Sequence, residues 1–309
     1  MTTYASLLQA AAARLAAAGI DSPRLDAEVL LAATLGIDRT RLYGRLRERT
    51  APDCESSFAS ALARRAAGEP VAYLVGQREF WSLPFTVTPD VLIPRPETEL
   101  LIETCCRLAS ELSAPFICDL GTGSGCIAVA LARELPRARL IATDISSAAL
   151  ALARHNAMAH AVSDRIVFVR GDLLAPFRGT ACFDLIVSNP PYVAENEPLP
   201  PGVDREPAGA LRAGRDGLDI IRRLVTDAPA RLRPGGWLLS EIGHGQADAV
   251  RRLAADTGLE SVSLRPDFAG IPRVLVARRG ADETEIRDRD RESSSKRAAE
   301  EIKTRDKES

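Results

Sequence analysis

Residues 183–192 read Phe-Asp-Leu-Ile-Val-Ser-Asn-Pro-Pro-Tyr, and the last four could hold a flat NH2 group for reaction. The nitrogen of such a group is a poor nucleophile, because its lone pair is delocalised into the adjacent π system. The Asn189 side-chain oxygen and the Pro190 carbonyl can each accept one of its two N–H bonds. That turns the nitrogen toward an electrophile and favours lone-pair localisation as the new bond forms. Pro190 and Pro191 stiffen the turn, and Tyr192 offers a ring face to the planar group. Asn189, Pro190, Pro191 and Tyr192 are therefore the substrate-binding candidates, with catalysis assigned to Asn189, Pro190 and Tyr192. No base with a tuned pKa is required before attack, which suits a chain with three histidines. Holding two reactants in line can supply roughly 7–11 kcal/mol of a barrier. For Asn-Pro alone a plain turn after a strand is the better reading; the full tetrad behind this strand is far more specific.

The elements that must position the tetrad are strands. Leu185–Val187 has the length and β-branching of a buried parallel strand, ending at Asn189 where the prolines forbid further pairing. In an open α/β sheet, ligands bind at that C-terminal edge. A second loop, Cys118-Asp119-Leu120-Gly121-Thr122-Gly123-Ser124-Gly125, sits at the first strand-to-helix turn, where glycines let backbone approach a ligand and a helix start presents free N–H groups. Its spacing is G-x-G-x-G, whereas a dinucleotide fold wants G-x-G-x-x-G. Asp144 ends the next strand, placed to accept both ribose hydroxyls, and such charged hydrogen bonds are each worth about 1.5–3 kcal/mol. Asp172 and Leu173 follow the third, where the carboxylate could accept from an adenine amine and the leucine could cover the ring. A single Asp at a strand end is commonly a turn residue. Three such strand ends followed by the tetrad resemble the S-adenosylmethionine-dependent methyltransferases that act on planar NH2 groups, and NAD is the losing alternative. The expected cofactor contacts are Gly121, Thr122, Gly123, Ser124, Gly125, Asp144, Asp172, Leu173 and Asn189. No metal is expected: the six cysteines form no C-x-x-C pair and read as structural thiols of a reducing cytoplasm.

At 309 residues the chain has room for about two domains, and 46% hydrophobic residues suffice for sizeable cores. No apolar run approaches a membrane span, and the Ala/Leu-rich Tyr4–Ile20 stretch reads as a helix rather than a signal peptide. Residues 1–70 carry only helical signals and form a small all-α bundle, a passive structural cap or a substrate-docking domain, the latter being the assignment carried forward. Residues 71–93 alternate like a β-hairpin linker. Residues 94–279 alternate strands and helices like a mostly parallel, Rossmann-like sheet, the catalytic domain. Residues 280–309 form a charged tail: 281–309 hold ten acidic and eight basic side chains against thirty-two of each sign before them. Disorder is expected there. The folded part is neutral, so stable nucleic-acid binding is not expected, and the chain is read as a cytoplasmic monomer.

Over about residues 1–279 the chain resembles the release-factor glutamine methyltransferases, the HemK/PrmC family. The resemblance rests on the glycine loop, Asn189–Tyr192, Tyr73–Gly76, Phe80-Trp81, Phe85–Val87 and Val91 through Glu99. It also rests on Glu206-Pro207, Gly214–Asp219, and Asp267–Gly270 with Arg273-Val274. It implies a seven-stranded methyltransferase fold behind a helical N-terminal domain. It further implies methyl transfer from S-adenosylmethionine, leaving S-adenosylhomocysteine, to the side-chain amide nitrogen of the Gly-Gly-Gln glutamine in class-1 peptide-chain release factors. Some relatives carry an aromatic residue where Leu173 stands, so ring stacking would be replaced here by aliphatic contact. A ribosomal-protein glutamine methyltransferase is the sibling alternative. A DNA adenine-N6 methyltransferase is weaker still, because it needs a basic, aromatic base-flipping surface and aromatics are 5%.

Overall fold

The computed structural model describes residues 2–280 apart from 178 and 180; the charged tail predicted from 281 onward lies outside the described residues. Four helices come first: α1 (Tyr4–Ala17), α2 (Pro23–Leu35), α3 (Arg39–Gly44) and α4 (Pro52–Ala66). Their common core holds Leu8, Leu15, Leu30, Leu31, Leu42 and Phe58, the apolar stripes that helical spacing marks. Thr3 caps α1 and Asp38 caps α3 through side-chain oxygens, while Gly36 at φ 64° stops α2. Ser22, the cap expected for α2 from its position before Pro23, makes no side-chain capping bond. Glu28, 3% exposed, ties α2 to α3 by accepting from Arg24, Arg39 and Tyr43. Burial pushes its pKa up, but those three donors together hold it below the usual carboxylate value.

The strand-like alternation read from Val71 is corrected at its start. Val71–Val75 is a short helix, α5, because Val71, Leu74 and Val75 pack back on the helical core and Gly76 at φ 74° ends the turn. The hairpin itself is β1 (Gln77–Phe80) and β2 (Leu83–Thr86). Its two-residue turn places Trp81 at φ 53° and Ser82 at φ 55°. Both therefore sit in the left-handed region a two-residue hairpin turn demands, where Asn-Gly is the usual choice. Tertiary contacts hold Trp81 there: its backbone N–H donates to Glu99 (2.8 Å) and its indole N–H to Glu134 (2.7 Å).

The remaining chain builds one sheet. In order it runs α6 (Glu99–Ala109), β3 (Phe116–Leu120), α7 (Cys126–Glu134), β4 (Arg139–Asp144), α8 (Ser147–Ala159), β5 (Ile166–Arg170) and β6 (Phe183–Ser188). Then come α9 (Ala208–Leu211), α10 (Asp219–Asp227), β7 (Leu232–Glu241), α11 (Ala247–Ala255), β8 (Leu259–Pro266) and β9 (Pro272–Arg279). The strand order is β5-β4-β3-β6-β7-β9-β8. The first five are mutually parallel and β9 pairs antiparallel with both neighbours, so the late pair forms the antiparallel edge its position predicts. Alternate side chains enter opposite cores. Ile117, Leu185 and Val187 pack on the α6–α7 side, and Cys118, Leu120 and Ile186 pack on the α10–α11 side.

Asn156 joins three of these parts. It lies on the buried face of α8 at 1% exposure, accepts from the Thr86 amide (2.9 Å), and donates to the carbonyls of Thr86 (3.0 Å) and Ser124 (2.8 Å). One side chain thus fastens the hairpin to the glycine loop. Asn156→Ala strands those buried groups and is expected to cost roughly 2–3 kcal/mol. Urea unfolding checks this, and a loss under 0.5 kcal/mol, on the order of a surface substitution, would show the link to be dispensable.

Candidate active site

Because the five parallel strands point one way, their C-terminal ends deliver the chemistry-bearing residues to one edge. Order reverses between β3 and β6, each neighbour of the other, which opens a crevice there. A cavity of about 500 Å³ occupies it, within the range of small-molecule sites. Gly121, Thr122, Gly123 and Ser124 line it together with Asp144, Asp172, Leu173, Asn189 and Pro191. Gly125, Pro190 and Tyr192 are not among its lining residues.

The glycine loop is held by its conformation and by Asp144. Gly121, Gly123 and Gly125 have φ of 69°, 54° and 81°, the left-handed region that glycine enters at least cost. At Gly125 a side chain would also press on Ala153 of α8, 3.0 Å away. Asp144 Oδ2 accepts from the Gly123 amide (2.9 Å) and Oδ1 from the Ser146 amide (2.8 Å). The carboxylate is thereby fixed, with lone pairs left for a diol. Among the described residues the buried Ser124 hydroxyl meets no oxygen or nitrogen partner and lies against the Cys126 thiol in the same cradle. These features fit a cofactor carrying a ribose.

At the far end of the cavity, Asp172 Oδ2 accepts from Arg223 Nη2 of α10 at 2.7 Å, so one of its oxygens is committed to an exposed ion pair. Leu173 faces the cavity at φ 48°, an unusual conformation for a branched side chain and the sort of strain that collects at binding sites. Ile145 and Ile220 also line this cavity. Their loop and helix positions give no signal in the sequence that either faces a ligand.

At the tetrad, Asn189 Nδ2 donates to Thr98 Oγ1 (3.0 Å), and Asn189 Oδ1 is buried without a partner among the described residues. The Tyr192 hydroxyl donates to Glu241 Oε1 at 3.1 Å, so the ring is anchored at the end of β7. Burial and the neighbouring carboxylate push the phenol well above its ordinary pKa. Gln246 clamps the turn: it accepts from the Gly243 amide (2.8 Å) and donates to the carbonyls of Tyr192 (2.9 Å) and Gly217 (3.2 Å). Gly217, at φ 74°, comes so close to the Tyr192 carbonyl that a Cβ would lie 2.2 Å from it. Thr98, Glu241 and Gln246 are hydrogen-bonded neighbours of the tetrad that its own four residues do not reveal. A buried Glu at the end of an apolar strand was the one available signal.

Two carboxyls here are protonated in an unusual range. Burial pushes Asp119 up to about 7 against the pull of the Thr122 hydroxyl, with Asp144 adding to the rise. Burial likewise takes Glu241 to about 7, against hydrogen bonds from Thr98 and Tyr192. Both hold a proton in the folded chain where the unfolded chain, at 3.8 and 4.5, has lost it. Their contribution to stability is therefore full below those values and is lost as pH rises to about 7. Asp119→Asn keeps the shape and is expected to flatten the fall in melting temperature between about pH 4 and 7. An unchanged slope in calorimetry would show that Asp119 titrates normally.

Known proteins resemble the chain over most of its length. The model of the PrmC N-terminal domain matches residues 6–76 and that of the methyltransferase small domain matches 96–199. The release factor glutamine methyltransferase of Moorella thermoacetica is 46% identical over 280 residues, 90% of this chain and 99% of that protein. The protein of the same description from Cereibacter sphaeroides is 48% identical over 279 residues, 89% of this chain and 98% of the relative. Among solved structures, the hMettl16 catalytic domain bound to a MAT2A 3′UTR hairpin shares the fold. Its TM-score is 0.55 at 20% identity, with 72% of this chain and 82% of that one covered. A Thermus thermophilus 16S rRNA N2 G1207 methyltransferase, solved with AdoMet and guanosine, gives 0.50 at 22% identity over 66% of this chain and 49% of its own. With the curated relatives matched over nearly their whole length, the chain belongs to the release factor glutamine methyltransferase family.

Proposed function

We infer that this protein transfers a methyl group from S-adenosylmethionine to the side-chain amide nitrogen of the Gly-Gly-Gln glutamine in class-1 release factors. The observation that carries this reading is the buried, unpartnered Asn189 Oδ1 at the cavity, an acceptor awaiting an N–H donor. Full-length relatives described as release factor glutamine methyltransferases support the choice of glutamine over a nucleobase. Gly121–Ser124, Asp144, Asp172 and Leu173 would hold the cofactor, whose sulfonium supplies an electrophilic methyl. Asn189 Oδ1 and the Pro190 carbonyl would each take one N–H of the glutamine and so hold its nitrogen toward the methyl. Tyr192, anchored on Glu241, would shape the opening through which the side chain enters.

The helical unit of residues 1–70 docks the release factor, 71–93 link it, and 94–279 catalyse, in a monomer acting in the cytoplasm without stable nucleic-acid binding. The loop after the tetrad supports this. Arg205 donates to the Ala67 carbonyl at the end of the helical unit (3.1 Å). The next residue, Glu206, accepts from the Ile93 amide (3.0 Å) and pairs with Arg95. These bonds join the end of the helical unit to the loop after the tetrad, so a release factor docked on the helices would bear on that loop.

Incubating the protein with a release factor and methyl-labelled S-adenosylmethionine is expected to place label on the Gly-Gly-Gln peptide and nowhere once that Gln is changed to Ala. Label that persists after the change, or never reaches the peptide, refutes the reading. Asn189→Ala is expected to leave cofactor affinity within a few-fold by calorimetry while lowering kcat by about 100-fold or more. Turnover close to the parent's would remove Asn189 from the chemistry.

A further inference from the structure

An asparagine side chain can present either its oxygen or its NH2 to a ligand, and only one face serves here. Asn189 Nδ2 donates to Thr98 Oγ1 at 3.0 Å, and Thr98 Oγ1 donates to Glu241 Oε2 at 2.7 Å. The other Glu241 oxygen accepts from Tyr192. Thr98 and Glu241 are 2% and 1% exposed, so water does not compete for these bonds. A threonine hydroxyl has one proton, and above about pH 7, where Glu241 has lost its own, the carboxylate only accepts. With that proton committed to Glu241, Thr98 turns lone pairs alone toward Asn189, and only an NH2 can meet them. The reverse rotamer would set two oxygens against each other and aim the Asn189 NH2 at the cavity, where it would face the substrate's own NH2 donor to donor.

We propose that Thr98 and Glu241 are positioning residues, which lock Asn189 with its carboxamide oxygen toward the reactive amide nitrogen. The proposal rests on the glutamine reading above, since the direction matters because the acceptor group is an N–H donor. Thr98, at the start of α6, also lines the cavity, whereas Glu241, the last residue of β7, stands behind it and is not among the lining residues. The charged side chains facing Glu241 are Glu97 and Arg273, of opposite sign. The unpartnered Asn189 Oδ1 is the product of this lock: three side chains spend their hydrogen-bonding capacity on one another and leave one acceptor free. A buried polar chain of this kind specifies one arrangement when every member is satisfied.

Thr98→Val removes the hydroxyl at nearly constant shape, and Thr98→Ser restores it. In the full chain acting on an intact release factor, Thr98→Val is expected to lower kcat by about 100-fold, the scale of a misaligned reacting group. Release-factor KM and the calorimetric Kd for S-adenosylmethionine should stay within about threefold, below the tenfold that 1.4 kcal/mol represents. Thr98→Ser should recover kcat to within several-fold of the parent. Glu241→Gln, which offers one acceptor oxygen to two hydroxyls, should also lower kcat. The double variant Thr98→Val, Glu241→Gln should be no worse than the poorer single one, because the two act as a unit. A Thr98→Val enzyme with kcat within threefold of the parent would overturn the proposal. So would Thr98→Ser failing as badly as Val, or a loss that resides in KM or Kd. If the parent itself leaves the release factor unlabelled, the glutamine reading fails; an active parent with an unaffected Thr98→Val variant sinks the lock alone.

Discussion

The site depends on one geometric constraint: five consecutive parallel strands must end on the same edge of one sheet. Parallel strands require crossover helices, and here these cover both faces, so β3 and β6 are apolar almost throughout. The polar residues of the site are the last or next-to-last of their strands, where side chains reach the C-terminal edge of the sheet. Asp119, Asp144, Ser188 with Asn189, and Glu241 all lie at such ends. The strand order puts β3 and β6 side by side at the reversal, which places the glycine loop next to the tetrad with no long connection between them.

Around that edge the structure replaces flexibility with hydrogen bonds to single side chains. Asn156 holds hairpin and glycine loop together, Asp144 holds the middle of the loop, and Gln246 holds the tetrad turn against Gly217 and Gly243. Glu206 holds the segment leading into α6. Each replaces what a longer stretch of packed chain would otherwise supply. The backbone at both ligand-facing loops is therefore set before any ligand arrives, which lowers the ordering cost of binding.

Much of this was legible in the residues. The five parallel strands, the antiparallel edge pair, the tetrad and the acidic strand ends follow from local hydrophobic period and from residue types at fixed offsets, which act within a few residues. The alternation of Val71–Val75 is compatible with a strand, and its helix is decided by packing against α2 and α4. The hairpin turn at Trp81-Ser82 carries no turn signal at all, since contacts with Glu99 and Glu134 hold residues that do not favour the conformation.

Reaction type and class of fold are written in local residue patterns, because Asn-Pro-Pro-Tyr, the glycine loop and strand periodicity act over short range. Which way Asn189 points is settled instead by contacts in space. Thr98 and Glu241 lie 91 and 52 residues from Asn189 along the chain in opposite directions. Their hydrogen bonds exist only because the start of α6 and the end of β7 meet beside the end of β6. Direction in a hydrogen-bonded chain is set by which partner has a proton to give, and that is a property of neighbours in space.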